Sequence, residues 1–297
     1  MPTDNTRYDF SPITQRPAFR WPHGERLAVW ICYNIEHFKV DVPATSVAPG
    51  LAQLKPDVIN YAWRDYGLRV GIWRNVETMD RLGLPGSVTL NAEVCLHERA
   101  VVEELTKRNW CFLGHGLTNS QLLSGLPEAE ERKVINETVA MIEKATGKRP
   151  IGWLGPALAE TFATPELLVD ARIKYVCDWV CDDQPFLIKV KNGRLISVPY
   201  SMHINDIAMV LEQRLLGEAF GQAIRDQFDV LYREGANIPR TMAIAVHPFL
   251  AGQTHRIKHV ERTFEEILSK PGVACWSGEK ILDWYLGTNL GTQKAKA

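Results

Sequence analysis

The chain has no apolar run near the ~18 to 20 residues that span a bilayer. Its opening segment, MPTDNTRYDFSPITQRP, also has no apolar stretch resembling a secretory leader. The expectations are no membrane partner and a cytoplasmic location. An excess of one charge is missing too: 34 Lys+Arg against 35 Asp+Glu leave a net charge of -1, so nothing in the global electrostatics recruits nucleic acid. Six cysteines, at 32, 95, 111, 177, 181 and 275, are scattered and sit mostly inside apolar runs, which excludes a disulfide framework. Cys177 and Cys181 are four apart with no second pair or suitably spaced histidine, which argues against a structural zinc site. Internal repeats and low-complexity tracts are absent. What remains is a 297-residue chain, 45% apolar, able to bury a substantial core and suited to a small-molecule partner.

Short apolar, β-branched or aromatic runs recur at 26–34, 86–94, 110–116, 151–156, 175–180, 195–200, 241–248 and 273–276. Such runs suit parallel strands buried on both faces. Amphipathic segments alternate with them. In 71–83 the residues Ile72, Val76, Met79 and Leu82 form one stripe; 127–147 opens with acidic residues and ends at Gly147; 254–270 repeats the stripe with Ile257, Val260, Phe264 and Leu268. The alternation, without a Pro/Gly/Ser linker, predicts an α/β fold: one domain over 1–297, built as a distorted, TIM-like (β/α) barrel of about seven parallel strands. The 38–68 segment, with Pro43, Pro49 and Pro56 and little periodicity, reads as a long loop over the barrel mouth. The lysine-bearing tail after about 288 reads as frayed.

In such a barrel, chemistry sits where strands end. The first run ends in Asn34-Ile35-Glu36-His37, which places Asn34 and Glu36 on one side of an extended chain and Ile35 and His37 on the other. Later runs end in Asn91 and Glu93; in His115 with Asn119; in Asp178-Trp179 followed by Asp182-Asp183; in His203 with Asn205-Asp206; and in His247-Pro248. Each residue alone has an ordinary reading as a cap, a turn or a satisfied histidine. Six strand ends bearing carboxylate, imidazole or amide groups predict convergence on one site.

The order and spacing of these groups resemble the polysaccharide deacetylase superfamily, carbohydrate esterase family 4, and within it the cofactor-independent allantoinase-like branch. The residues that carry the likeness are NIEHF (34–38), YGLRVGIWR (66–74), GHGLTN (114–119), TGKRPIGWLGP (146–156), TPELLVDARIKYVCDW (164–179), DDQPF (182–186), VPYSMHINDIAM (198–209), FDVLYREGA (228–236) and HPFLAGQTHRI (247–257). The resemblance implies a distorted barrel and hydrolysis of a C–N bond in an amide or cyclic amide. It implies Glu36, His115 and His247 as catalytic residues, with His247 as general acid. Asn34, Arg69, Asn119, Pro156, Trp179, Asp183, Asn205 and Asp206 would contact substrate.

Two departures from the superfamily pattern are visible. Where sugar deacetylases carry an Asp-Asp pair and two histidines around a divalent metal, this chain has Asn34, Glu36, His115 and Asn119. An amide binds zinc poorly beside an imidazole, so Glu36, His115 and Asn119 predict either no metal or a weakly held ion such as Zn²⁺ or Mn²⁺. The arginine expected to hold a carboxylate base is Leu154. The leading expectation is therefore a C–N hydrolase of a small cyclic amide or ureide, forming a homo-oligomer. The alternatives are an N-acetyl sugar or peptidoglycan deacetylase, and a non-catalytic small-molecule-binding protein on the same fold.

Overall fold

The computed structural model describes residues 4–42, 54–288 and 290. One nine-stranded sheet organises the chain: β1 (Leu27–Ile35), β2 (Ser87–Leu90), β3 (Cys111–Gly114), β4 (Gly152–Trp153), β5 (Tyr175–Val176), β6 (Phe186–Ile188), β7 (Leu195–Ser197), β8 (Arg240–Val246) and β9 (Val273–Cys275). The spatial order is β6-β7-β5-β4-β3-β2-β1-β8, with β9 also on β1. All pairings are parallel except β6 with β7. The sheet curls into a half-barrel, the distorted TIM-like barrel that the alternation predicts. The seam between its two edges is bridged by Ala245 N donating to Ile204 O at 3.0 Å and Thr241 N to Asp183 O at 2.8 Å.

The longest strand, β1, is buried at all nine positions because helices cover one face and the barrel interior the other. Outside the sheet run α1 (Val58–Tyr66), α2 (Ile72–Leu82), α3 (Val94–His97), α4 (Arg99–Lys107), α5 (Glu128–Thr146), α6 (Thr164–Asp170), α7 (Gly217–Glu234), α8 (Pro248–Ala251), α9 (Ile257–Leu268) and α10 (Gly278–Leu286). The stripes read from sequence are buried: Ile72, Val76 and Met79 on α2, and Val260 and Phe264 on α9, join the largest core cluster. Cys32, Cys95, Cys111 and Cys177 are buried thiols, and all six cysteines are free. Among the described residues no helix is long and apolar enough to cross a membrane.

The 38–68 segment departs from a plain loop. Its described part contains α1, capped by the Asp57 side chain accepting from Asn60 N, and α1 runs on through a π-helical turn, Gly67–Gly71, into α2. Residues 43–53 of that segment, and 289 and 291–297 of the tail, lie outside the described residues. The π turn presses on the chain just after β8. A Cβ on Gly67 would stand 2.6 Å from Phe249 N, and one on Gly71 2.1 Å from Pro248 O. Only glycine permits that approach, and it seats α1 beside the strand end that carries His247.

Candidate active site

Four side chains meet where β1, β3 and β8 end. Glu36 follows β1, His115 follows β3, Asn119 lies four residues on, and His247 closes β8. Gly116 adopts a left-handed φ of 68°, which turns the chain directly after His115. The returning segment is then pinned to β1, with Asn119 N and Thr118 Oγ1 both donating to His37 O, at 3.0 and 2.9 Å.

Glu36 Oε1 is the common point. Asn119 Nδ2 donates to it at 2.6 Å, and His115 Nε2 and His247 Nε2 each lie 3.6 Å away. Its side chain is 7% exposed. Burial pushes the Glu36 carboxyl up, but the charge of His247 and the nearness of both imidazoles outweigh it and hold the group well below the usual carboxylate range. Glu36 is thus an anion.

His247 is clamped from behind. Its Nδ1 lies 2.7 Å from Asp206 Oδ1, and its backbone N–H donates to the same carboxylate, 2.8 Å from Oδ2. Burial lowers the basicity of His247, yet Asp206 first and Glu36 second raise its pKa to about 9. At neutral pH the ring is an imidazolium with one N–H committed to Asp206 and the other facing Glu36. His115 is held differently: its Nδ1 lies 2.6 Å from the Leu154 carbonyl, which can only accept, so Nδ1 carries a proton. Its Nε2 is buried with no hydrogen-bond partner among the described residues.

The orientation of Asn119 follows from groups that have one role each. The His37 N–H donates to Asn91 Oδ1 at 2.9 Å, so the Asn91 amide must turn its Nδ2 toward His115 O and Asn119 Oδ1. The Asn119 Nδ2 then faces Glu36, which accepts. A cation held by Glu36, His115 and Asn119 would meet an NH₂ group where it needs an oxygen. The donor set does not fit a metal there.

The other residues expected at the site fall into separate groups. Asn34 is 3% exposed and fully engaged inside the barrel: Oδ1 accepts from Thr89 Oγ1 at 2.7 Å, and Nδ2 donates to Tyr200 OH at 3.0 Å and Val246 O at 3.3 Å. It ties β1, β2 and β8 together behind Glu36. Asp206 is brought in through His247, whereas Asn205 makes a local turn, with Oδ1 accepting from Ile207 N at 3.0 Å. Pro156 is buried against Gly116. Trp179 donates to Glu160 Oε1 at 3.1 Å and packs edge-on to Tyr8.

Two expected contacts do not join the cluster. The Arg69 side chain is 75% exposed and pairs with Asp65 at 3.7 Å. Asp183 is exposed and lines a separate cavity of about 870 Å³ beside Arg16 and Asp182, a cavity that includes none of Glu36, His115, Asn119 or His247. That larger cavity has none of the four groups, whereas the narrow cleft lined by Glu36, His37, Phe38, Tyr61, Arg64, Asp65, Leu68 and Glu98 meets the cluster at Glu36. Arg64, not Arg69, is the arginine at this cleft, with its guanidinium 3.9 Å over the Phe38 ring. Burial lowers its basicity while Glu36 and Asp57 act to raise it. Its position on α1, in the segment read as a loop, hid it from sequence reasoning. Asn91 was visible as a strand-end residue, but its role in orienting Asn119 was not.

No family model matches the chain. A putative polysaccharide deacetylase of Schizosaccharomyces pombe (strain 972) is 26% identical over 91% of this chain and 92% of its own length. Among solved structures, Puue allantoinase superposes with a TM-score of 0.84 at 23% identity, over 97% of this chain and 99% of that one. A probable polysaccharide deacetylase from Pseudomonas aeruginosa PAO1 gives a TM-score of 0.81 at 25% identity, over 92% and 95%. Sequence relatives and solved structures together place the chain on the polysaccharide deacetylase fold of carbohydrate esterase family 4, the fold of a carbon–nitrogen hydrolase.

Proposed function

We propose that the chain hydrolyses a C–N bond of a small cyclic amide or ureide, and that it does so without a metal at Glu36, His115 and Asn119. Water attack on such a carbonyl needs a base, a stabiliser for the oxyanion and an acid for the departing nitrogen. His115 Nε2, bare because Nδ1–H is committed to Leu154 O, takes the proton of the attacking water, and Glu36 orients that water and stabilises the imidazolium that results. Arg64, lining the cleft, balances the charge on the carbonyl oxygen. As the C–N bond breaks, the Nε2 proton of His247 passes to the leaving nitrogen, and Asp206 holds the ring in place.

The observation that carries this reading is the buried line Asp206–His247–Glu36, with separations of 2.7 and 3.6 Å, which keeps a charged acid facing Glu36, the residue of the cluster that lines the cleft. A deacetylase of N-acetylated sugars is the second reading, favoured by the description of the Schizosaccharomyces pombe relative. The test is turnover by chelator-stripped protein of allantoin, hydantoin, a dihydropyrimidine, succinimide and an acetylated chito-oligomer, with and without added Zn²⁺ or Mn²⁺. The expected result is metal-independent opening of a cyclic substrate. Release of acetate from the oligomer only after metal is added would replace this reading by the second. Stabilisation by a ligand without turnover would mark a binding protein.

A further inference from the structure

We propose that His37, Glu93 and His97 form a metal-binding site on the outer rim of the barrel mouth, for a borderline cation such as Zn²⁺, with Glu98 positioning His37. The ligands are distinct from the Glu36 cluster, although His37 and Glu98 line the same cleft as Glu36, and the proposal does not depend on the hydrolytic reading. Glu36 and His37 are consecutive in extended backbone at the end of β1, so their side chains leave on opposite sides. Glu36 turns toward His115 and His247, whereas His37 turns toward the segment after β2.

That segment offers a chelating pair. Glu93 precedes α3 and His97 ends it, four residues apart on one helical turn and therefore on one face. One ligand atom from each of His37, Glu93 and His97 lies within 4.8 Å of the others. Metal–ligand bonds of about 2.0 to 2.2 Å in a tetrahedral site set ligand atoms roughly 3.4 Å apart. His37 Nε2 and Glu93 Oε2 are already 3.4 Å apart, and closure asks the exposed His97 ring to turn out of its stack on His37 so that a ring nitrogen points at the ion.

The surroundings of His37 supply the independent sign. Its other nitrogen, Nδ1, lies 3.5 Å from Glu98 Oε1, the place of the carboxylate that fixes ring orientation in metal-bound histidines. The second Glu98 oxygen, Oε2, is buried without a hydrogen-bond partner among the described residues. The His37 and His97 rings lie face to face, with centroids 4.7 Å apart and planes at 17°. Lys39 is the opposing group: its Nζ lies 3.6 Å from Glu93 Oε1, which leaves Oε2 for the ion. Two imidazoles and one carboxylate suit zinc, nickel, cobalt or copper over magnesium or calcium.

The test titrates tag-free, chelator-stripped full-length protein with Zn²⁺ by calorimetry and with Co²⁺ by visible absorption. The expected result is one saturable equivalent in the wild type and in His115→Ala. In His97→Ala and Glu93→Gln the affinity should fall by at least ~100-fold and the cobalt bands should disappear, and Glu98→Gln should weaken binding about tenfold. Melting curves of the metal-free variants that match the wild type show that the fold is kept. No saturable binding by the wild type would overturn the proposal. Binding that survives His97→Ala and Glu93→Gln but is lost in His115→Ala would also overturn it.

Discussion

Asp206, ahead of Glu36, sets the protonation of His247, the proposed acid. It contacts both the ring and the backbone N–H of His247, and it heads the influences that raise the imidazole to about 9. The acid must be charged to act, so kcat/KM falls as pH rises through about 9. Replacing Asp206 by Asn removes the leading cause of that elevation, so the alkaline limb of the kcat/KM profile moves to lower pH. A limb that stays in place in Asp206→Asn would show that some other group sets it. The residues Glu36, His115, Asn119 and His247 were legible in sequence because each closes an apolar run. The direction in which the Asn119 amide faces was not, since it is fixed by the His37 N–H acting through Asn91, a contact between strand ends that no spacing along the chain reveals.

Among the elements, the packing of the π turn against the residues after β8 has the plainest consequence. Gly71→Ala would place a methyl 2.1 Å from Pro248 O, and backbone cannot yield as a flexible side chain does. Overpacking of this kind costs about 1–3 kcal/mol or more, read as a lower urea midpoint with an unchanged slope. A midpoint equal to that of the wild type would show that α1 and α2 are not seated through this contact. Long runs such as 26–34 and 241–248 announced β1 and β8 because burial on both faces demands continuous apolar sequence. The antiparallel β6 (Phe186–Ile188) went unread: it is three residues long and partly exposed, and it carries no such run. The helix α1 was hidden for a related reason, since prolines at 43, 49 and 56 set the expectation of a loop for residues that include a capped helix. The π turn that follows leaves Arg69 outside while Arg64 lines the cleft.

For the whole molecule, buried charge makes stability depend on pH with a definite sign. Glu36 titrates below its ordinary value of 4.5, so its contribution is present above about 4.5 and is lost as pH falls through the lowered folded value. His247 titrates above its ordinary 6.5, so its contribution is complete below 6.5 and is lost as pH rises through about 9. Burial raises Glu160 from 4.5 to about 7, so its protonated form favours the fold below 4.5 and that support disappears as pH rises through about 7. The melting temperature should therefore decline from the acid side of neutrality toward pH 9. Glu160→Gln should flatten the part of that decline between 4.5 and 7, and an unchanged slope would contradict the assignment. In the proposed reaction His247, held by the barrel between Asp206 and Glu36, delivers the proton that releases the leaving nitrogen. This role is decided by kcat of His247→Ala on the cyclic substrate that the wild type opens, taken with the melting temperature of the same protein. A positioned acid contributes ~10² to 10⁴-fold to the rate, so kcat should fall by at least ~10²-fold with the melting temperature and KM close to wild type. A lowered melting temperature with near-normal turnover per folded molecule would make His247 a structural residue and not the acid.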